Sequence, residues 1–205
     1  MKLTHFYHIF ADGDYRKPVA EHFTALEESG LLSELDSVRL GIVGSKENRE
    51  KVRALLPKCR VAAEAPSGWE QVTLNVLHRF SKRDSGAIFY AHTKGAWSQG
   101  ELARQWRVSM THDTVTRWRE CVAALETVDA AGPYWLKSWE PEHKDHKYFF
   151  AGNFWWARSD YVRRLNRVRE DNRYRAEGWI GLGDPSVRIM REGYSYWGNF
   201  WSPNA

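Results

Sequence analysis

The sequence predicts a three-layer α/β fold with a mostly parallel central sheet, formed by a single domain that covers all 205 residues. Two observations support this fold class. In the first half, short apolar runs typical of buried strands alternate with segments whose apolar residues recur at helical spacing. The connections between them are short, as in strand–helix units that bury a parallel sheet between two helical layers. Hydrophobic residues make up 42% of the chain, which is enough for such a core.

Four strands are predicted in the first half. They are rich in aromatic and β-branched residues and are bounded by turn residues. They cover residues 4–11, 37–45, 59–65 and 87–91. The first strand runs into Asp12-Gly13-Asp14, which has the composition of a turn.

Helices are predicted between these strands from capping signals and apolar spacing. The first starts at Pro18 and ends before Gly30, and the second is capped by Ser45 and buries Val52, Leu55 and Leu56. Two stretches with capping-box spacing, residues 67–70 and 98–101, predict two further helices. The inward faces of these two helices are predicted to include Trp69 and Trp106, and another helical stretch carries Val115, Trp118, Val122 and Leu125.

The second half has a different character. Residues 132–139 and 147–159 are aromatic and predict strands, and an arginine-rich helix is predicted over residues 160–170. The remainder is aromatic and rich in loops. The different character of the two halves agrees with one compact domain. We expect residues 1–110 to bind a nucleotide and residues 111–205 to bind an acceptor.

Composition restricts the class of protein. The formal net charge of +4 suits a phosphate-bearing ligand or a nucleic acid, although ordinary enzymes share it. Cys59 and Cys121 lack CxxC spacing, which argues against a zinc knuckle or a disulfide scaffold and favours reduced thiols.

No apolar run approaches the roughly 20 residues of a membrane span. The N-terminus has the pattern of a strand and lacks that of a signal peptide, so we expect a cytoplasmic protein. The eleven tryptophans suit either stacking on sugars and bases or core filling.

The fourth strand ends in an unusual polar loop, His92-Thr93-Lys94-Gly95. Ligands of parallel α/β sheets bind at the carboxyl ends of strands, and a helix N-terminus follows closely, with partial positive charge that attracts phosphate. Lys94 adds a full charge, and Arg104 and Arg107 follow one and two turns later. A diphosphate ligand and a plain solvated turn both agree with this spacing. The loop is not a Walker motif, and the chain has no GxGxxG pattern.

Several of these segments, in this order, resemble the small GT-A-type glycosyltransferases. They are "AHTKG", "QWR", "YFFAGNFWWARSDYVRRL" and "AEGWIG", and the resemblance extends over about residues 3–190. Related patterns occur in bacterial rhamnan and surface-polysaccharide synthesis proteins and in bacteriophage glycosyltransferases. The resemblance implies a nucleotide-diphosphate-sugar donor, expected to be a UDP-sugar, bound by the N-terminal half. The acceptor would bind to the C-terminal half.

The loop departs from the GT-A pattern in one respect. Most such enzymes end the corresponding strand in an Asp-x-Asp motif that holds a divalent metal, whereas this chain has His92-Thr93-Lys94. We therefore expect a fixed cation, Lys94 with help from Arg107, to neutralise the leaving group without a metal or another cofactor. Asp12-Gly13-Asp14 is an Asp-x-Asp triplet elsewhere, so metal binding there stays an alternative. The predicted donor-binding residues are Asp12, Asp14, His92, Thr93, Lys94, Gly95 and Arg107.

The acceptor side is predicted around the "AGNFWWA" segment. Gly152 would permit close approach and Asn153 would bind hydroxyls, while Trp155, Trp156 and Trp179 are candidates for stacking. In a strand, Trp155 and Trp156 point to opposite faces, and core packing is the alternative for either one.

A carboxylate is needed if the reaction inverts configuration, because the acceptor hydroxyl must lose a proton. The resemblance places Glu177 beside the acceptor, which makes it the predicted base. Asp184 and Asp113 are the next candidates. A surface Glu177 paired with Arg173 or Arg175 is the alternative, and a retaining reaction requires no such base.

Six arginines crowd the region of the predicted acceptor site: Arg163, Arg164, Arg167, Arg169, Arg173 and Arg175. Such a run is usually a solvated face, but it also suits a nucleic-acid backbone. Together with the resemblance to bacteriophage enzymes, it favours a hydroxymethylated pyrimidine in DNA, such as 5-hydroxymethylcytosine, as acceptor. A polysaccharide or protein hydroxyl, a non-catalytic nucleic-acid-binding module, and a nucleotide hydrolase or nucleotidyltransferase are the alternatives. The lack of an acidic metal cluster in the sequence counts against the nucleotide hydrolase and the nucleotidyltransferase.

Overall fold

A computed structural model describes residues 1–96, 100–137 and 148–192. Nine strands are present in this part of the chain: β1 Leu3–Phe10, β2 Ser37–Val43, β3 Arg60–Ala65, β4 Ala87–His92, β5 Ala130–Pro133, β6 Trp135–Lys137, β7 Tyr148–Phe150, β8 Trp155–Arg158 and β9 Val187–Arg191. Seven form one sheet in the order β3-β2-β1-β4-β8-β5-β9, and β6 pairs with β7 separately. In the large sheet β8 runs antiparallel to both neighbours, and the other pairs are parallel.

Helices cover this sheet. They are α1 Arg16–Glu28, α2 Leu31–Glu34, α3 Lys46–Leu55, α4 Gln71–Ser81, α5 Glu101–Thr111, α6 Trp118–Ala124, α7 Ser159–Val162 and α8 Tyr174–Gly178. A π-helical turn, His112–Thr116, joins α5 to α6, and a 3-10 turn, Trp179–Gly181, follows α8. The predicted α/β class with a mostly parallel sheet is therefore confirmed. None of the helices in the described ranges is long and apolar enough to cross a membrane.

The core lies on both faces of the sheet, because successive residues of a strand point to opposite sides. On β1, Tyr7 and Ile9 belong to one apolar cluster and Phe6 belongs to the other. The same alternation divides Trp156 from Trp155 on β8.

The order of the strands determines where polar loops meet. The strands β1, β2, β3 and β4 are parallel neighbours, so the loops that follow them leave the same edge of the sheet. The N-terminus of α3 also lies at this edge, where Ser45 caps the helix as predicted by accepting a 3.4 Å hydrogen bond from the N–H of Asn48.

Some predicted elements differ from the structure. The helix predicted from residues 67–70 starts at Gln71 without a side-chain cap, and Trp69 is half exposed rather than packed inward. Leu55 is likewise exposed. The helix predicted from residues 98–101 begins at Glu101 with Gly100 as its N-cap, while Ser98 lies outside the described residues.

The arginine-rich helix predicted over residues 160–170 is also shorter than expected, since α7 ends at Val162. Farther along, the side chain of Asn75 accepts a 2.9 Å hydrogen bond from the N–H of Val168 and donates a 3.3 Å bond to its carbonyl. These bonds satisfy the backbone of Val168 without a helix, so packing against α4 overrides the helical pattern.

Candidate functional site

The loops after β1 and β4 form one unit at the carboxyl edge of the sheet. The N–H of Asp14 donates to the carbonyl of Ala96 at 2.9 Å, and Thr93 Oγ1 accepts from the N–H of Phe10 at 3.1 Å. Thr93 in turn donates its N–H to the carbonyl of His8 at 3.0 Å. Thr93 is buried, so its predicted donor-binding role becomes a structural one: it joins the two loops.

Gly13 permits this contact between the loops. A Cβ atom at Gly13 would lie 2.4 Å from the carbonyl oxygen of Ala96, far inside van der Waals distance. The Asp12-Gly13-Asp14 turn therefore approaches the β4 loop more closely than any other residue type at position 13 allows.

Asp12 connects the same unit to α3. Its carboxylate accepts hydrogen bonds from the N–H of Ser45 at 2.8 and 3.1 Å and from the side chain of Asn48 at 2.9 Å. These bonds, the one from Asn48 first, hold the pKa of Asp12 below its ordinary value. Within the described part of the chain, no cluster of three or more His, Cys, Asp or Glu side chains is arranged to hold a metal ion.

Lys94 presents an ammonium group at the exit of β4. Its Nζ atom lies 3.7 Å from the centre of the Trp106 ring, a cation–π contact that fixes the side chain. No carboxylate among the residues that the structure describes forms an ion pair with Lys94. Its positive charge is therefore not neutralised by these parts of the protein.

Arg107 has a different role from the one predicted. It is buried, and its Nε and Nη2 atoms donate to Glu21 Oε2 at 3.0 and 2.6 Å. Its Nη1 atom donates to the carbonyl of Lys94 at 2.7 Å. Because Glu21 compensates its charge, Arg107 mainly holds the Lys94 loop in place.

An open pocket lies beside this loop, between the N-termini of α1 and α5. Its lining consists of Asp14, Lys17, Pro18, Gly95, Gly100, Ala103, Arg104 and Arg107. Among the described residues, no side chain caps the N–H groups at the start of the eleven-residue helix α5. Arg104 pairs with Glu101 at 3.2 Å and Arg107 with Glu21 at 2.6 Å. The N–H groups of α5, together with Lys17 and the nearby Lys94, are therefore the groups that favour an anionic ligand here.

A second polar cluster surrounds His92 at the end of β4. The imidazole Nε2 atom lies 2.9 Å from the carbonyl oxygen of Gly152, whose N–H donates to Glu177 Oε1 at 2.8 Å. Gly152 and Asn153 have φ values of 85° and 58°, so the predicted strand is interrupted here by a tight turn. Burial first, and the charge of Lys94 second, lower the pKa of His92 to about 3, so the ring is neutral at neutral pH.

Glu70 also belongs to this cluster, although in the sequence it stands out only as the last residue of a capping-box pattern. Its Oε2 atom accepts hydrogen bonds from Tyr90 Oη at 2.7 Å and from Asn153 Nδ2 at 2.7 Å. The amide oxygen of Asn153 accepts a 2.7 Å bond from the indole of Trp155. Asn153, predicted to bind hydroxyls, is thus fully buried and occupied by protein partners.

The three tryptophans predicted to stack on an acceptor lie in the core instead. Trp155, Trp156 and Trp179 have no exposed surface. Their indole N–H groups donate within the protein, Trp156 to the carbonyl of Thr114 and Trp179 to that of Asn166. Core packing, the alternative from the sequence, is the arrangement found.

The structure separates the three candidate bases. Glu177 lies beside the turn that contacts His92. Asp184 is exposed and precedes β9. Because β9 runs in the same direction as β4, a residue before β9 lies at the opposite edge of the sheet from Lys94, which follows β4. Asp113 is fully buried and forms two hydrogen bonds with Arg191, at 2.6 and 2.8 Å. The positions of Asp184 and Asp113 do not fit the predicted catalytic role.

The arginine-rich segment is partly neutralised by nearby carboxylates. Its ion pairs are Arg164 with Asp129, Arg167 with Glu170, and Arg169 and Arg175 with Asp171. Such paired side chains attract a nucleic-acid backbone less strongly than the sequence suggested.

A family model described as "Domain of unknown function (DUF8361)" matches residues 6–178. The chain belongs to this family. No curated protein matches the sequence.

Two solved structures are similar to this chain at low sequence identity. A 4-diphosphocytidyl-2C-methyl-D-erythritol synthase from Anaerococcus prevotii is 10% identical, with a TM-score of 0.53 and coverage of 98% of this chain and 93% of that chain. A nucleotidyl transferase from Methanothermobacter is 12% identical, with a TM-score of 0.49 and coverage of 93% and 88%. The likeness to the first shows that this chain has the same α/β fold.

Proposed function

We propose that this chain is a transferase that binds a nucleotide-diphosphate sugar, preferably a UDP-sugar, and moves the sugar to a hydroxyl acceptor. The observation that carries the proposal is the ammonium of Lys94, which forms no ion pair among the described residues, beside a pocket lined by Lys17 and Arg104 at the carboxyl edge of the sheet. Parallel α/β sheets bind their ligands at this edge. The resemblance of the sequence to GT-A-type glycosyltransferases supports the choice of a sugar nucleotide.

In this proposal the diphosphate lies between Lys94, the N-terminus of α5 and the pocket residues Lys17 and Arg104. These groups stabilise the negative charge that grows on the diphosphate as the bond to the sugar breaks. Arg107 keeps the Lys94 loop in position. Asp12, through Ser45 and Asn48, holds the neighbouring turn on the nucleotide side.

Glu177 is the proposed base. Its Oε1 atom accepts the N–H of Gly152, and no hydrogen bond to Oε2 is found among the described residues. In an inverting reaction, Oε2 would take the proton of the acceptor hydroxyl. The hydroxyl oxygen would then bond to the anomeric carbon of the sugar as the bond from that carbon to the nucleoside diphosphate breaks.

The proposed acceptor is a hydroxymethylated pyrimidine in DNA, supported by the resemblance to bacteriophage enzymes. The neutralised arginines weaken this part of the proposal, and a polysaccharide or protein hydroxyl is the competing acceptor. The same neutralisation argues against a non-catalytic nucleic-acid-binding module. Mass spectrometry of hydroxymethylated DNA after incubation with the preferred donor tests the DNA acceptor directly.

Nucleotidyl transfer is the second candidate reaction, because the fold matches that of a 4-diphosphocytidyl-2C-methyl-D-erythritol synthase with a TM-score of 0.53. The two reactions release different products. Sugar transfer releases a nucleoside diphosphate, whereas nucleotidyl transfer from a nucleoside triphosphate releases pyrophosphate.

A thermal-shift panel tests the donor. Nucleoside triphosphates, nucleoside diphosphates and sugar nucleotides are each added with EDTA or with manganese. We expect the largest stabilisation from a sugar nucleotide, in the presence of either additive. Lys94→Ala should remove most of this shift and most turnover with an unchanged circular dichroism spectrum, whereas Lys82→Ala, at the far end of α4, should retain both. Full activity of Lys94→Ala would refute the role of the loop.

A further inference from the structure

The contact between His92 and Gly152 fixes the tautomer of the imidazole. A carbonyl oxygen can only accept a hydrogen bond, so Nε2 of His92 must carry the proton in the 2.9 Å contact. In a neutral ring the other nitrogen, Nδ1, then has a lone pair and no hydrogen. His92 therefore presents a hydrogen-bond acceptor on the side of the ring that faces Glu70.

Glu70 presents a second acceptor to the same space. Its Oε1 atom lies 3.8 Å from Nδ1 of His92, too far for a direct hydrogen bond. The side-chain donors Tyr90 and Asn153 both bind Oε2. In the described part of the chain, no hydrogen bond to Oε1 of Glu70 or to Nδ1 of His92 is found.

Two acceptors that face each other across a gap cannot hydrogen-bond to one another. Both side chains retain some access to solvent, with 14% of His92 and 21% of Glu70 exposed. A ligand can therefore reach the gap, and a ligand that binds there must supply two hydrogen-bond donors. An ammonium ligand is disfavoured because the positive charge of Lys94, which forms no ion pair within the described ranges, already acts on His92.

We propose that Glu70 and His92 bind two adjacent hydroxyl groups of a sugar, one hydroxyl on each acceptor. Each hydroxyl then donates one hydrogen bond of about 2.7–2.8 Å. Trp69, next to Glu70 in the chain, is half exposed and is an aromatic side chain of the kind on which sugar rings stack. The inference rests on the proposed function: the sugar is the one transferred or, with the competing polysaccharide acceptor, the one that receives it.

Glu70→Gln tests this pairing without removing the contacts that position the turn. Oε2 must stay an acceptor for Tyr90 and Asn153, so the amide oxygen of glutamine takes its place and the amide NH2 replaces Oε1. The gap then holds a donor that can satisfy His92 itself. Glu126→Gln, an exposed change after α6, is the matched control.

Affinity provides the first readout, with UDP-glucose and UDP as probes. We expect Glu70→Gln to weaken the binding of UDP-glucose about tenfold or more, because a hydrogen bond to a charged acceptor is lost. The affinity for UDP should stay unchanged, and Glu126→Gln should match the original protein for both. Equal loss for UDP and UDP-glucose would overturn the proposed hydroxyl pair, and no loss for either would exclude the transferred sugar as its ligand.

The 15N resonance of His92 Nδ1 provides a second readout that does not depend on nucleotide binding. UDP-glucose should shift it if the hydroxyls belong to the donor, and methyl glucoside should shift it if they belong to an acceptor. If neither UDP nor UDP-glucose binds, the proposed function fails, while a shift caused by methyl glucoside still supports the hydroxyl pair. No response to either sugar overturns the inference.

Discussion

Mild acid should destabilise this protein strongly, because several histidines are buried without charge. Burial lowers the pKa of His5 to about 3, that of His8 to about 4 and that of His92 to about 3. His22, whose Nε2 atom lies 2.8 Å from that of His5, also has a lowered pKa because of its burial and the nearby His5. The unfolded chain binds protons at these rings near pH 6.5, whereas the folded chain does not.

The sign and size follow from this difference in proton binding. When the pH falls below about 6.5, the unfolded state gains protons that the native state cannot take up, so the free energy of unfolding decreases. Between about pH 7 and about pH 5.5, each such histidine contributes a loss of about 1.2 kcal/mol. His5, His8 and His92 together predict a loss of about 3–4 kcal/mol, a large part of the 5–15 kcal/mol typical of a domain. This range of pH lies above the region in which most carboxylates titrate.

Urea denaturation at the two pH values measures this loss. A matched variant is His8→Asn, whose amide can replace the 2.7 Å contact between His8 Nδ1 and Thr73 Oγ1 but does not titrate in this range. It should reduce the pH-dependent loss by about 1 kcal/mol. A free energy of unfolding that is equal at both pH values would show that these rings are not held in their neutral form.

Three further substitutions test the site and the core. Trp156→Ala should lower the free energy of unfolding by about 3–5 kcal/mol, measured by urea denaturation, because the ring is fully buried; a change below about 1 kcal/mol would contradict its place in the core. Gly13→Ala should weaken nucleotide binding in calorimetry, since its Cβ would meet the carbonyl of Ala96 at 2.4 Å; an unchanged affinity would show that the two loops need not touch. Arg107→Leu should destabilise the fold by about 2–4 kcal/mol, because Glu21 and the carbonyl of Lys94 lose their partner; a thermal midpoint equal to that of the parent would contradict this.

The position of the Lys94 loop could be predicted from local sequence. Apolar residues followed by His92-Thr93-Lys94-Gly95 show a buried strand that ends in polar groups, and strand–helix alternation indicates a parallel sheet. Ser45 was likewise recognisable as a cap. These features depend on neighbours within one or two turns of the chain.

The partners of each side chain could not be predicted in this way. Glu70 and Asn153 are 83 residues apart and are joined only because α4 and the turn before β8 pack at one edge of the sheet. The burial of Trp155 and Trp156 depends on β8 lying between β4 and β5, a strand order that no local pattern specifies.

The sequence by itself determined the class of fold, the strands and most helices of the first half, and the polar groups at the end of β4, because periodicity and capping are local properties. Only the tertiary structure decided that Arg107 binds Glu21, that Asp184 lies at the opposite edge from Lys94, and that Glu70 faces His92. The reason is physical: the charge balance and burial of a side chain depend on residues that are close in space and distant in the chain.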